Sequence, residues 1–377
     1  MKILKKILII AAILILIDFG FELITTSPAD LIMDIGSLFD SMSAEELAED
    51  MNSRLASFEV ELQYRRVDTK TVTTAFNTLT AEHPEYFWLD GSYSFTFRRG
   101  LFGIGCVTLT PGFVFDADSV PELNAEFTLR ADGVIAEAET LDSDYDRALF
   151  IHDYLAENCS YDFELRELIV SKSEDFDRSG TTAYGCLIDG SAVCSGYSAA
   201  YQVLLNRLGI VCGRLDGESF GSGETVAHEW NYICLDGEYY YVDLTWDDLQ
   251  TSTSAGEFSE HVTHSYFCIS EEELLRGRTI NEDAEPPVCV SDKYNYHRYE
   301  GYYLESYSLS EFSRLISIQL RNPVMEVKLG SEAEYEKACA ELFGNGGIAN
   351  VPALRYSGHR SVWHVTSDDS YVITLWF

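Results

Sequence analysis

Three residue types that together can carry out nucleophilic chemistry occur in the middle of the chain, as Cys194, His228 and Asp243. A thiol supplies a soft nucleophile, an imidazole takes and returns a proton near neutral pH, and a carboxylate fixes the tautomer of the imidazole. These groups act together only within hydrogen-bond reach of one another. The elements that carry the three residues must therefore converge.

Cys194 is predicted to lie at the start of a helix. A Gly-bearing loop, residues 190–197, runs into apolar residues at helical spacing, which are Tyr197, Ala200, Tyr201, Leu204, Leu205 and Leu208, and Gly209 is typical of a helix end. The partial positive charge at a helix N-terminus stabilises a thiolate. Gly196 leaves room for a substrate beside the sulfur. The alternative is that Cys194 is a small buried residue, and its position alone does not decide between the two.

The spacing of His228 and Asp243 is that of neighbours in a β-hairpin. Two strand-like segments, residues 226–235 and 238–246, are joined by Asp236-Gly237, a dipeptide favoured in two-residue hairpin turns. A turn at these two residues puts His228 and Asp243 on the same sheet face as diagonal neighbours. A shift of one residue would put them on opposite faces. A lone histidine in a strand is more often structural, but the carboxylate and the upstream thiol favour a catalytic role.

The strings around these residues resemble the transglutaminase-like superfamily. They are residues 192–198, 228–231 and 242–248, supported by residues 151–155, 161–162 and 266–267. The resemblance covers roughly residues 140–275. It implies a fold related to papain-like peptidases and a Cys thiolate that attacks an acyl group. It also implies an acyl-enzyme, which releases its acyl group to water or to an amine.

The groups that would stabilise an oxyanion are less clear from the sequence. Papain-like peptidases use a Gln shortly upstream of the Cys, and none lies between Ser171 and Cys194. The backbone N–H of Cys194 can serve, and Tyr184 is a second candidate whose alternative role is packing. Trp230 and Trp246 are predicted to line the cleft, with a place in the core as the alternative.

No cofactor or metal is predicted. Asp247 and Asp248 are interpreted as exposed acids at a strand end, because no calcium-binding loop surrounds them. His261 and His264 are three residues apart but have no third ligand nearby in the sequence. The nine Cys residues include no CxxC pair, and their odd number leaves at least one thiol unpaired within the chain.

The charge of the chain argues against nucleic acid as a partner. The 26 Lys and Arg residues against 62 Asp and Glu residues give a formal net charge of −36. Such a surface repels phosphate backbones. Apolar residues make up 46% of the chain, which is enough for a sizeable core.

The N-terminus is predicted to direct export. Lys2, Lys5 and Lys6 precede an apolar run from residue 7 to residue 17. That run would span only ~16 Å as a helix, short of the ~30 Å of a bilayer core. We therefore predict a signal peptide over residues 1–29, with an uncleaved membrane anchor as the alternative, and an extracytoplasmic location, secreted or membrane-anchored.

The predicted fold class is α+β. Residues 30–138 are predicted to form an N-terminal α+β region, with one helix after the capping-box pattern of Ser43 and Glu46, a second from Asp68 to about Glu82, and strands from residue 86 to about residue 129. Residues 139–285 are predicted to form a papain-like or transglutaminase-like core with an antiparallel sheet and a nucleophile helix. Within this core, a helix over residues 144–158 precedes the nucleophile helix. Pro286-Pro287 begins a small α+β module, residues 286–377, with the predicted order strand, helix, strand, helix and two final strands.

The triad predicts thiol-dependent acyl transfer on a protein or peptide amide, with hydrolysis favoured. The resemblance to bacterial members of the superfamily implies action at the cell surface, with a cell-envelope peptide as the expected substrate. Two alternatives stay open at this point. One is a cross-linking transglutaminase that uses Lys amines. The other is a non-catalytic surface-binding or assembly protein that keeps the fold.

Overall fold

A computed structural model describes residues 42–65, 67–99, 105–173, 176–220, 225–252, 258–355, 357 and 361–377. The predicted export segment, residues 1–29, lies outside these described residues. The chain divides into two compact units. The first contains the described residues up to Glu82 and Trp88–Val120, and the second contains His83–Phe87 and Pro121–Phe377. The domain boundaries predicted after residues 29, 138 and 285 stay predictions.

The first unit pairs two helices with a three-stranded antiparallel sheet. Its elements are the helices Ala44–Leu55 (α1) and Thr69–Glu82 (α2) and the strands Leu62–Arg65 (β1), Leu89–Arg99 (β2) and Gly105–Phe113 (β3), with strand order β1-β3-β2. Ser43 and Glu46 form a capping box that starts α1. Met51, Phe76 and Leu109 are fully buried in this unit.

Four helices of the second unit precede or carry the candidate site. They are Val120–Ala138 (α3), Asp144–Asn158 (α4), Phe163–Val170 (α5) and Cys194–Arg207 (α6). The prediction of strands up to residue 129 was wrong beyond Phe113. The buried residues of α3, which are Phe127, Ala131, Val134, Ile135 and Ala138, recur every three or four positions and so form one face of a helix rather than of a strand.

The central sheet of the second unit is antiparallel throughout. Its strands are Cys212–Ser219 (β6), Val226–Leu235 (β7), Glu238–Val242 (β8) and Arg278–Ile280 (β11), in the order β11-β6-β7-β8. Helix α6 packs against β6 and β7. The two-stranded parallel pair of Ser160–Tyr161 (β4) and Ser191–Ala192 (β5) lies just before this helix. The sheet and the helix together hold the candidate site.

Short elements connect this sheet to the rest of the unit. They are the helix Leu244–Asp247 (α7), the hairpin of Asp248–Ser252 (β9) with Phe258–Val262 (β10), and the helices Glu271–Leu274 (α8) and Tyr296–Tyr299 (α9). Each helix here is only one turn long.

The end of the chain forms a second sheet with its own core. Its strands are Tyr303–Leu304 (β12), Met325–Leu329 (β13), Trp363–Ser367 (β14) and Val372–Trp376 (β15), in the order β12-β13-β15-β14. The helices are Leu309–Gln319 (α10), Glu332–Cys339 (α11) and Pro352–Arg355 (α12). The order of elements is the predicted one, with the one-turn helix α12 added. Phe312, Leu315 and Ile373 belong to this core.

The α+β class is therefore confirmed. Among the helices that the structure describes, none combines the length and the apolar character needed to cross a bilayer.

Candidate active site

Cys194 is the first residue of α6, the 14-residue helix that runs through the centre of the second unit. Residues 196–205 of this helix are all buried, so packing on every side fixes its position. Cys194 itself is half-buried at the helix start, where the unpaired N–H groups of the first turn carry a partial positive charge. This placement leaves the sulfur partly exposed, where a substrate can reach it.

His228 and Asp243 are brought together by the predicted hairpin register. Asp236 and Gly237 both have positive φ, 53° and 81°, as the predicted two-residue turn requires. Leu235 pairs with Glu238 and Asn231 pairs with Val242 along the two strands. The Nε2 atom of His228 lies 2.8 Å from Oδ2 of Asp243, and both side chains are buried.

Asp243 stands at the point where the second strand of the hairpin ends. The strand was predicted to continue to Trp246, but β8 ends at Val242 and a helical turn, α7, begins at Leu244. The reason is local, because the side chain of Asp243 accepts the backbone N–H of Trp246 and so caps this turn. Its Oδ1 atom takes this bond, which leaves Oδ2 to face the imidazole.

The imidazole of His228 also interacts with the thiol of Cys194, which favours the charged form of the ring. Since Nε2 is occupied by Asp243, Nδ1 is the ring nitrogen that is left to exchange a proton with the sulfur. Burial disfavours a charge on His228, but Asp243 and the bond to Cys194 outweigh burial and raise the pKa of His228 to about 9. The charged imidazole of His228 is therefore held by the carboxylate of Asp243.

The carboxylate of Asp243 is held from its other side by Arg278, which the sequence analysis did not single out. Arg278 is fully buried, and its Nε and Nη2 atoms lie 2.7 Å and 2.6 Å from Oδ2 of Asp243. Burial tends to raise the pKa of Asp243, and His228 and Arg278 together outweigh burial and lower it. No local signal marks Arg278, because it lies on the edge strand β11, 35 residues beyond Asp243.

Two aromatic rings lie beside the imidazole, those of Trp230 and Trp246, and they belong to or pack against a buried core cluster, which was the alternative in their prediction. The ring centroids of these tryptophans lie 5.9 Å and 6.3 Å from that of His228. Trp230 is buried, and Trp246 is half-buried. The two rings limit the access of water to the contact between His228 and Asp243, which strengthens that contact.

Gly196 does not open a path to the sulfur. A Cβ atom at this position would lie 2.5 Å from the carbonyl oxygen of Gly180 and 2.8 Å from Cβ of Ala192. Its N–H donates to the carbonyl of Val193 at 2.9 Å. Gly196 therefore allows α6 to pack against the preceding loop, and it supplies no free N–H for an oxyanion.

Tyr184 serves packing, which was the alternative in its prediction. Its hydroxyl donates to Oε2 of Glu126 at 2.9 Å, and its ring lies 4.9 Å from that of Phe87. The hydroxyl hydrogen is therefore already directed to a carboxylate. The structure offers no support for Tyr184 as an oxyanion donor.

Tyr161 is a neighbour of the site that the sequence analysis missed as a candidate. Strand β4 aligns Tyr161 with Ala192, two residues before Cys194. Burial raises the pKa of Tyr161, and the nearby charges of Cys194 and Asp243 raise it further. The hydroxyl therefore stays protonated near the thiol and can donate a hydrogen bond. The motif Tyr161-Asp162 was the sequence signal that could have identified it.

The interpretation of Asp247 and Asp248 as exposed acids was wrong. Both are buried. Asp247 accepts hydrogen bonds from His152 at 3.2 Å and from Thr263 at 3.1 Å, and burial raises its pKa to about 6. Asp248 accepts the hydroxyl of Tyr197 at 2.6 Å. These acids support the turn after Asp243 from within the protein.

One group in the described part of the chain has the composition of a metal site. It consists of His152, Asp153 and His264, whose ligand atoms lie within 4.8 Å of one another. His261 is not part of it. Each imidazole already bridges two carboxylates, since His152 contacts Asp153 and Asp247 while His264 contacts Asp153 and Glu326. The group is thus a closed network of ion pairs around two buried imidazoles, with Asp153 partly exposed.

Comparisons with known proteins agree with this geometry. Residues 133–244, which include Cys194, His228 and Asp243, match the model of the transglutaminase-like superfamily. The chain is 24% identical over 133 residues to the kyphoscoliosis peptidase of Mus musculus and 23% identical over 142 residues to that of Homo sapiens. These segments are 33% and 36% of this chain, but only 19% and 20% of the two relatives.

Among solved structures, the crystal structure of a TGase matches with 16% identity and a TM-score of 0.29, over 51% of this chain and 54% of that one. A structural similarity with a TM-score of 0.29 supports no inference by itself. Over residues 133–244, the chain is thus similar to the transglutaminase-like superfamily.

Proposed function

We propose that this protein catalyses thiol-dependent acyl transfer on protein or peptide amides, with Cys194 as nucleophile, His228 as base and Asp243 as the residue that orients the imidazole. Water is the proposed acyl acceptor, so the reaction is amide hydrolysis. The observation that carries the proposal is the 2.8 Å contact between His228 and Asp243, on a sheet that packs against the helix beginning at Cys194.

The proposed steps use these groups in order. The thiol proton passes to Nδ1 of His228, and the thiolate forms a bond to the carbonyl carbon of the amide. The backbone N–H of Cys194 and the hydroxyl of Tyr161 are the proposed donors to the oxyanion. When the C–N bond breaks, His228 returns its proton to the leaving amine. Water, deprotonated by His228, then releases the acyl group and restores the thiol.

We further propose that the enzyme acts outside the cytoplasm, secreted or held by an N-terminal anchor, on a peptide of the cell envelope. The positive start and the short apolar run of residues 1–17 support export. The acidic composition supports a partner other than nucleic acid.

The test is to trap the acyl-enzyme. Purified protein lacking residues 1–29 is offered a library of peptide amides and thioesters, and covalent adducts are located by mass spectrometry. We expect an adduct on Cys194 that is absent from Cys194→Ala. Cys106→Ala is the matched control, because Cys106 is also half-buried but lies in the first unit. If the wild-type protein never forms the adduct, the enzyme proposal is wrong and the non-catalytic alternative remains.

The choice between hydrolysis and cross-linking is tested in the same assay. Adding a primary amine such as a Lys-containing peptide gives the acyl-enzyme a second acceptor. Release of free acid with little change in the presence of amine supports hydrolysis. Capture of most acyl groups as amides would assign the protein to cross-linking instead.

A further inference from the structure

We infer that Asp369, in the turn of the last hairpin, is a positioning residue of the active site and acts through Arg278 on Asp243. This inference rests on the proposed function, because it assigns Asp369 a role only if His228 and Asp243 have theirs. It also makes the C-terminal sheet part of the catalytic apparatus rather than an appended module.

The guanidinium of Arg278 lies between two carboxylates. Its Nε and Nη2 atoms hold Oδ2 of Asp243, and its Nη1 atom lies 3.5 Å from Oδ2 of Asp369. Oδ2 of Asp243 is the same atom that faces Nε2 of His228. Any rotation of the guanidinium therefore moves the oxygen that orients the imidazole.

Tyr266 ties the second carboxylate to the same arginine. Its hydroxyl donates to Asp369, with oxygen distances of 2.8 Å and 3.0 Å, and its ring centroid lies 4.2 Å from the guanidinium carbon of Arg278. Trp246 approaches the guanidinium at 5.3 Å. Ser367 donates a further hydrogen bond to Asp369 at 2.9 Å. Asp369 is thus held in place on the side opposite to Asp243.

The hairpin turn sits closely on the segment that carries Arg278. A Cβ atom on Gly277 would lie 2.4 Å from Oδ2 of Asp369, so the carboxylate occupies the space that a side chain at position 277 would take. One residue earlier, the guanidinium of Arg276 lies 4.4 Å from the ring centroid of Tyr371. Arg276, Gly277 and Arg278 thus each lie close to a residue of the turn.

The charges explain why both carboxylates matter. His228 and Arg278 supply two cationic groups, and Asp243 and Asp369 supply two anionic ones. A buried guanidinium keeps its orientation when anionic partners hold both of its ends. Without the charge of Asp369, the arginine is drawn wholly to Asp243, and Asp243 then stabilises the imidazolium less well.

The experiment compares Asp369→Asn with Asp368→Asn in the chain without its predicted signal peptide, residues 30–377. Asp368 is the matched control, because it lies in the same turn but accepts the hydroxyl of Tyr335, on helix α11, at 2.7 Å. The measurement is the rate of Cys194 alkylation by iodoacetamide from pH 5 to pH 10. This readout needs no substrate and reports the thiolate–imidazolium pair.

We expect wild type and Asp368→Asn to share one profile. In Asp369→Asn the rate of Cys194 alkylation near neutral pH should fall about fivefold. The alkaline limb of the plot of rate against pH should shift to lower pH by about half a unit. Unfolding midpoints of the two variants should agree, which excludes a general loss of structure. Asp369→Glu, which keeps the charge, should recover part of the rate.

A second measurement tests the inference without relying on Asp369→Asn alone. Arg278→Lys keeps a cation but loses the fork that spans the two carboxylates. If Asp369 acts through Arg278, Asp369→Asn should add little to the effect of Arg278→Lys. If the effects of Asp369→Asn and Arg278→Lys add fully, the inference is wrong. It is also wrong if Asp369→Asn and Asp368→Asn give identical profiles while wild type gives the expected one. Either result leaves the proposed function in place. A wild type whose Cys194 behaves as an ordinary thiol would overturn the proposed function and this inference with it.

Discussion

The Nε2 atom of His228 lies 2.8 Å from Oδ2 of Asp243, and the same oxygen is held from the other side by Arg278. This contact links a strand that presents the imidazole to the turn that follows the next strand. It sets the orientation of the ring, and the remaining nitrogen is thereby directed to Cys194. The following predictions test what the contact does.

Removal of the thiol or the imidazole should abolish acyl transfer. We expect Cys194→Ala and His228→Gln each to reduce turnover to background, because a nucleophile and its base act as a unit. Asp243→Asn should cost about a hundredfold or more, since it disturbs the orientation and charge of the imidazole. Steady-state rates on the substrates found by trapping measure this. A Cys194→Ala variant with substantial residual turnover would refute the assignment of the nucleophile.

Cys194 should be the most reactive of the nine thiols in the folded protein. It is half-buried at a helix N-terminus and bonded to His228, whereas five others are buried, namely Cys159, Cys186, Cys212, Cys268 and Cys289. Limited iodoacetamide treatment near neutral pH followed by peptide mapping identifies the first labelled residue. Earlier labelling of Cys106, Cys234 or Cys339, the other half-buried thiols, would contradict the prediction.

The imidazolium of His228 should stabilise the fold in a pH-dependent way. Its pKa is raised from 6.5 to about 9, so the folded state binds the proton more tightly than the unfolded state does. This contribution is fully present below about pH 6.5 and is lost as the pH rises to about 9. Its size is on the order of 3 kcal/mol.

The measurement is the free energy of unfolding of wild type and of His228→Gln between pH 6 and pH 10. Other titrating groups, such as His264, affect both proteins and cancel in the difference. The stability advantage of wild type should shrink as the pH rises. An advantage that grows with pH would show that His228 is neutral in the folded protein.

Two glycines should respond oppositely to alanine. Gly196→Ala places a methyl group 2.5 Å from the carbonyl oxygen of Gly180 and should cost about 1–3 kcal/mol through overpacking. Gly133 lies in helix α3 with nothing within 4 Å of its Cβ position, and Gly133→Ala should stabilise by up to about 1 kcal/mol. Denaturant unfolding of both variants checks this. Equal effects at the two positions would refute the packing role of Gly196.

The first 29 residues should direct export. In a bacterial host with a secretion pathway, the full chain should appear outside the cytoplasm, either shortened to begin near residue 30 or held in the membrane fraction. Fractionation and N-terminal sequencing distinguish the two forms. Deletion of residues 2–17 should retain the protein in the cytoplasm. An uncleaved and freely soluble cytoplasmic full chain would contradict the prediction.

The parts of the site that the sequence determined are those that depend on neighbouring residues. The dipeptide Asp236-Gly237 specifies a two-residue turn, and the turn specifies which residues face each other across the hairpin. The spacing of apolar residues after Cys194 specifies a buried helix with the thiol at its start. Such patterns can be recognised because their physical cause extends over only a few residues.

Only the tertiary structure decided which distant residues complete the site. Arg278 reaches Asp243 across 35 residues, and Asp369 reaches Arg278 from the last hairpin of the chain. Asp247, predicted to be exposed, is buried because His152 and Thr263 come from other elements to satisfy it. Whether a charged side chain lies in water or in the core depends on the partners that folding brings to it. No local pattern of residues encodes those partners, so they appear only when the whole second unit is assembled.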